Sequence, residues 1–86
     1  MDFTWEGFKE RLDKIHVFPE HYVFKFIVPV DRQKQVIELF HGEEIKVRNS
    51  KSGKFISITA RCFVGSSEEV IAIYKKAAKI EGIVAL

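Results

Sequence analysis

Asn49-Ser50-Lys51-Ser52-Gly53-Lys54-Phe55-Ile56-Ser57-Ile58-Thr59-Ala60-Arg61 decides the fold. Ser50 to Gly53 is turn chemistry, because Ser favours local side-chain hydrogen bonds and Gly accepts positive φ. Lys54 to Val64 then alternates as a strand. Ile56, Ile58, Ala60 and Cys62 form one face of it, and Phe55, Ser57, Thr59, Arg61 and Phe63 form the other. The even positions are the expected core and the odd ones the outer surface of a sheet.

Working outward, Glu44 to Asn49 is the strand that enters the turn. Ile45 and Val47 point one way, Lys46 and Arg48 the other. Tyr22 to Pro29 is an earlier strand, with Tyr22, Phe24, Phe26 and Val28 facing the core and Lys25 marking the opposite side. Pro29 lacks a backbone donor and ends the ladder. Asp31 is expected to cap a helix of about ten residues that turns Val36, Ile37 and Phe40 inward, with Gly42 at its C-terminal turn. Ser66-Ser67-Glu68-Glu69 has the spacing of a capping box. Val70, Ile73, Tyr74 and Ala77 follow at helical spacing. Gly82 breaks the chain, and Ile83 to Leu86 reads as a fourth strand.

Ahead of all this, Trp5, Phe8, Leu12 and Ile15 share one helical stripe. Thr4 is placed to cap that helix, with Phe3 and Phe8 positioned as a hydrophobic staple. Phe18-Pro19 follows its end, since the residue before proline avoids the helical region. The order is a helix, then β-α-β-β-α-β. Right-handed crossovers predict an α+β sandwich: a four-stranded antiparallel sheet in spatial order 4-1-3-2 with two helices on one face. One domain of 1–86 is expected, with 1–17 as a helical extension and 18–86 as the core.

The 86 residues suit one thin core, to which eight Phe lend bulk. The formal net charge of +2 is too mild to argue for a nucleic-acid binder by itself. One cysteine excludes an internal disulfide framework and suits a reducing compartment. No apolar run approaches the ~20 residues of a membrane span, and the start of the chain does not read as a secretory signal. The cytoplasm is the expected location.

With that order established, Phe18-Pro19 followed by Tyr22-Val23-Phe24-Lys25, the Ser50 to Thr59 stretch, Ile73-Tyr74-Lys75 and Ile80 to Leu86 resemble the YbeD-like family of small bacterial domains of unknown function. The resemblance runs from Phe18 to Leu86. It implies a ferredoxin-like fold similar to ligand-sensing ACT domains, and a regulatory role. It supplies no catalytic residue. ACT domains typically admit an amino acid at a Gly-containing turn after the first strand. Pro29-Val30-Asp31-Arg32 has no Gly there.

Candidate chemistry is sparse. His16, His21 and His41 form no metal-ligand spacing, and no metal or other cofactor is expected. Cys62 lies on the core-facing side of its strand, where a thiol is inert. The Ser50 to Lys54 turn lacks the full phosphate-loop spacing and leads into a strand rather than a helix. No nucleophile and base converge, so the chain is not expected to be an enzyme.

The outer sheet face is the remaining candidate. It carries Lys25, Lys46, Arg48 and Arg61 among Val23, Ile27, Phe55 and Phe63. The contact residues expected from it and from the basic turn are Lys25, Lys51, Lys54, Phe55 and Arg61. Three uses of the face stand open. It serves a protein partner or self-association, with a small-molecule effector as a further partner of such a domain. Alternatively it binds RNA or another anion weakly, although RNA-recognition sheets place aromatics at alternate outward positions of this strand, where Ser57 and Thr59 stand. Or the N-terminal helix folds across it and covers it.

Overall fold

The computed structural model describes residues 3–40 and 43–86. The elements run α1 (Trp5–Ile15), β1 (Glu20–Pro29), α2 (Gln33–Ile37), β2 (Glu44–Asn49), β3 (Phe55–Val64), α3 (Ser67–Ala77) and β4 (Val84–Ala85). The sheet order is β2-β3-β1-β4, with every pairing antiparallel, which is the expected 4-1-3-2 arrangement. The protein is an α+β sandwich with the βαββαβ order of a ferredoxin-like fold and one additional N-terminal helix.

The centre is the β1–β3 ladder, ten residues in register from Glu20 opposite Val64 to Pro29 opposite Phe55. In-register antiparallel strands put opposed residues on the same face. Phe24, Phe26 and Val28 therefore join Ile56, Ile58, Ala60 and Cys62 on one side, and all seven are buried. The helices close over them through Val36, Phe40, Val70, Ile71 and Ala77. Tyr74 is the hub between helix layer and sheet. Its ring lies 5.2 Å from Phe24, 5.8 Å from Phe26 and 5.5 Å from Phe8, and its hydroxyl is 3.1 Å from that of Tyr22.

The helix starts follow their sequence signals. The Thr4 hydroxyl accepts from Gly7 N–H at 3.0 Å, and the Phe3 and Phe8 rings meet at 6.0 Å across the cap. Ser66 Oγ accepts from Glu69 N–H at 3.3 Å. The return bond of this capping box differs by one residue: the Glu69 carboxylate accepts from Gly65 N–H.

Four expectations are corrected. First, α1 does not cover the outer sheet face. It lies beside α3, where Phe8 meets Tyr74 and Leu12 is buried in the core, while Lys75 sits 5.4 Å from the Trp5 ring. The side of the sheet that holds Phe24 and Phe26 still had apolar surface to satisfy, and the α1 stripe goes there. Ile15, in the last turn, falls outside that contact and is 74% exposed. Second, Asp31 caps nothing. The second helical segment begins as a 3-10 turn over Val30–Arg32, so its cap position falls on Pro29, which has no side-chain acceptor. The segment changes to α over Gln33–Ile37 and back to 3-10 over Glu38–Phe40. Gly42, expected at its C-terminus, lies outside the described residues. Third, the expected strand Ile83 to Leu86 contracts to Val84–Ala85, paired with Ile27 and Phe26. One further bond, Leu86 N–H to Lys25 O at 2.9 Å, ties the end of the chain to β1. Fourth, Ile71 is buried although it was not among the positions expected to face inward. Gly82 meets its expected role with φ of 79°, and a Cβ there would lie 2.8 Å from the Pro29 ring.

The two faces predict opposite responses to the same truncation. Phe24→Ala should destabilise by about 3–5 kcal/mol, as buried aromatics do. Phe63→Ala, at a ring 59% exposed on the outer face, should cost less than about 1 kcal/mol. Urea unfolding followed by circular dichroism measures both.

Candidate functional site

The outer face is read strand by strand from the register. On β3 the outward residues are Phe55, Ser57, Thr59, Arg61 and Phe63, and none is fully buried. Thr59 is flanked by Lys46 on β2 and by Lys25 on β1. Ser57 is flanked by Arg48 and Ile27, and Ile27 by Val84. Arg61 lies between Glu44 and Val23. Opposed side chains on adjacent strands start about 5 Å apart, so the two lysines stand roughly 10 Å apart with the Thr59 hydroxyl between them. A depression of about 210 Å³ is lined by Val23, Glu44, Lys46, Thr59 and Arg61.

The face is divided by chemistry. The strand residues facing outward include four cations, Lys25, Lys46, Arg48 and Arg61, and one acid, Glu44. Three of the cations belong to β2 and β3. Toward β1 and β4 the exposed apolar side chains are Val23, Val84 and Leu86, with the exposed His21 and Lys25 alternating with Val23 along β1. Among the described residues none of the four cations makes an ion pair with a carboxylate of the chain. An exposed apolar patch beside unpaired charge marks a partner surface more often than an inert one.

The five expected contact residues fall into two groups. Lys25 and Arg61 are diagonal neighbours across β1 and β3, at the middle of the face. Lys51, Lys54 and Phe55 sit at the hairpin end, opposite Pro29. From Phe55 to Arg61 the strand runs roughly 20 Å, so the structure does not gather all five into one site. Lys46 and Arg48 complete the central group, and alternation alone placed them on this face. Val84 and Leu86 were missed, because the phase of so short a strand is fixed only by its pairing with β1.

The hairpin itself is closed on its own atoms. Ser50 Oγ accepts from Phe55 N–H at 3.3 Å, Ser52 Oγ from Lys54 N–H at 3.3 Å, and Ser50 O from Gly53 N–H at 3.1 Å. Gly53 has φ of 73°. The Gly53, Lys54 and Phe55 N–H groups are thus already engaged within the turn, and the Lys51 and Lys54 side chains extend from it as the charged groups available to an anion.

A second concavity, about 380 Å³, opens between the start of α1, the end of α3 and β4. Phe3, Trp5, Phe26 and Tyr74 line it with Ile83 and small alanines, and no charged group does. It can shelter an apolar group, and no charged side chain lines it to orient one. Among the described residues no three His, Cys, Asp or Glu converge as metal ligands; His41 is not among them. No helix of the described residues is long and apolar enough to cross a membrane.

Cys62 is 2% exposed. Burial, with the Glu43 charge nearby, pushes its thiol up to about 11, which leaves it protonated and unreactive at neutral pH. Tyr74 is shifted upward as well, by burial first and then by its bond to Tyr22.

Residues 13–86 match the family model described as a protein of unknown function, DUF493. The chain belongs to that family, and the YbeD-like resemblance read from residues 18–86 is to the same group. The match begins within α1. No curated protein and no solved structure matches the chain.

The Cys62 environment yields a pH prediction. Its pKa is higher in the fold than the ordinary 9.0, so the unfolded chain loses the proton first and folding is disfavoured as pH rises. Stability contributed by the neutral thiol is complete below about pH 9 and declines toward pH 11. The urea midpoint should fall across that window, and the part due to the thiol should vanish in Cys62→Ala. Iodoacetamide at pH 8 should label the native protein at least about a hundredfold more slowly than the unfolded one, since the thiolate fraction differs by that factor.

Proposed function

We propose that this member of the DUF493 family is a non-catalytic regulatory domain that acts by protein interaction, and that the outer face of its sheet is the docking surface. The observation that carries this reading is the row of exposed apolar side chains, Phe63, Val23, Leu86 and Val84, spread along the β1 side of a face that α1 does not cover, beside Lys25, Lys46, Arg48 and Arg61, which have no ion-pair partner among the described residues. Burying such a surface is favourable, by about 25 cal/mol per Å² of apolar area removed from water. The inert, buried Cys62 is in keeping with a role that involves no bond making.

Self-association face to face about an axis running across the strands would bring the two β2 edges together, with Lys46 and Arg48 of one copy near those of the other, and like charges brought together across an interface are costly. In that arrangement the face suits a different protein better than a second copy. RNA fits less well. Phe55 and Phe63 stand at opposite ends of β3, roughly 26 Å apart, and the centre of the face holds Ser57 and Thr59, so bases have no continuous stacking platform.

Site-specific crosslinking tests the surface. Benzoylphenylalanine in place of Phe63 puts a photoreactive ring on the face, and the same residue in place of Val17, exposed in the α1–β1 connection, serves as control. Irradiation of cells making the full chain should give a discrete protein adduct from position 63 and none from position 17. Equal adducts from both positions, or none from either, would remove the support for this reading.

A further inference from the structure

We propose that the segment docked on the outer face is an acidic amphipathic helix lying lengthwise over the seam between β3 and β1, its carboxylates toward β2 and its apolar stripe toward β4. The proposal rests on the docking reading above and adds the chemistry and direction of the partner.

The register supplies the direction. Across the face, from β2 to β4, the rows read Lys46, Thr59, Lys25 and then Leu86, and Arg48, Ser57, Ile27 and then Val84. Three of the four cations, Lys46, Arg48 and Arg61, lie on β2 and β3 with Glu44 beside them, Lys25 lies on β1, and the exposed apolar side chains Val23, Val84 and Leu86 lie on β1 and β4. The small hydroxyl residues Ser57 and Thr59 lie between β2 and β1 and leave the middle low. Adjacent strands are about 4.8 Å apart, so the four-stranded face is wide enough for one helix of about 10 Å diameter with both flanks still in contact. The ten-residue ladder runs about 33 Å, enough for a helix of about 18 residues.

Charge selects the sign. Lys25, Lys46, Arg48 and Arg61 have no carboxylate partner in the chain among the described residues, and Glu44 is the lone acid beside them. A basic or neutral helix would leave these cations facing like or absent charge. A row of Glu or Asp would meet Lys46 and Arg48 on β2 and reach Arg61 and Lys25 in the next two strands. The hydrocarbon stems of these long side chains can lie along the helix while their heads meet the carboxylates.

The probe is a synthetic peptide of about 18 residues with a leucine stripe and an adjoining glutamate flank. A copy with lysine for every glutamate and an oligouridine strand are compared with it. Titration into the full, isotope-labelled chain should shift the amide signals of Val23, Lys25, Thr59 and Arg61 with the acidic peptide and leave them unmoved with the basic copy. Lys25→Glu together with Lys46→Glu should weaken the acidic peptide at least about tenfold, with unchanged circular dichroism, and raised salt should weaken it as well. Absence of binding by the acidic peptide, equal binding of both peptides, shifts mapping to the helix side, or a tighter oligouridine complex would each overturn the proposal. Crosslinking at position 63 with no acidic-peptide binding would leave the docking face standing and reject its acidic occupant. Failure of both would reject the face itself.

Discussion

The ten-residue pairing of β1 with β3 is the constraint on which the rest of the molecule depends. Side chains alternate along a strand, and antiparallel pairing without a bulge keeps opposed residues on one face. Two strands of matched parity therefore create a dry side and a wet side together. Phe24, Phe26 and Val28 align with Ile56, Ile58 and Ala60, and the same register sends Lys25 and Arg61 outward. A slip of one residue would carry Arg61 and Thr59 into the core and expel the isoleucines. Core and surface are two consequences of one register.

The helix layer completes the dry side and determines what is left over. Tyr74 packs on both central phenylalanines and on Phe8, so α3 is anchored to the sheet and α1 to α3 through one ring. Once α1 spends its stripe there, the chain has no described element left to cover the outer face. The basic and apolar side chains of that face remain in water. Its availability thus follows from where Phe8 and Leu12 found partners, on the opposite side of the molecule.

Much of the site was legible in the sequence. The alternation of Phe55 to Phe63 and of Val23 to Ile27 placed the outward residues correctly, because period-two patterning is a local property of a strand with one buried side. The Ser50–Gly53 hairpin was equally readable, since hydroxyl and glycine chemistry acts within a few residues. The grouping within the site was not. Phe55 shares a face with Arg61 by parity, and Lys51 and Lys54 adjoin it in the turn, yet all three lie at the far end of the strand. Val84 and Leu86 carried no phase of their own, because a two-residue strand has too short a pattern to declare which side is in.

The chain alone determined the elements whose signals are local: the Thr4 and Ser66 caps, the Gly53 turn, the parity of β3 and the order of strands and helices. Tertiary structure decided the destination of α1, the 3-10 start that took the cap away from Asp31, and the contraction of β4 to Val84–Ala85. An amphipathic stripe states that a helix must bury one side, but several apolar surfaces can accept it. Only the packed core, with Tyr74 and Phe26 already in place, selects which one does.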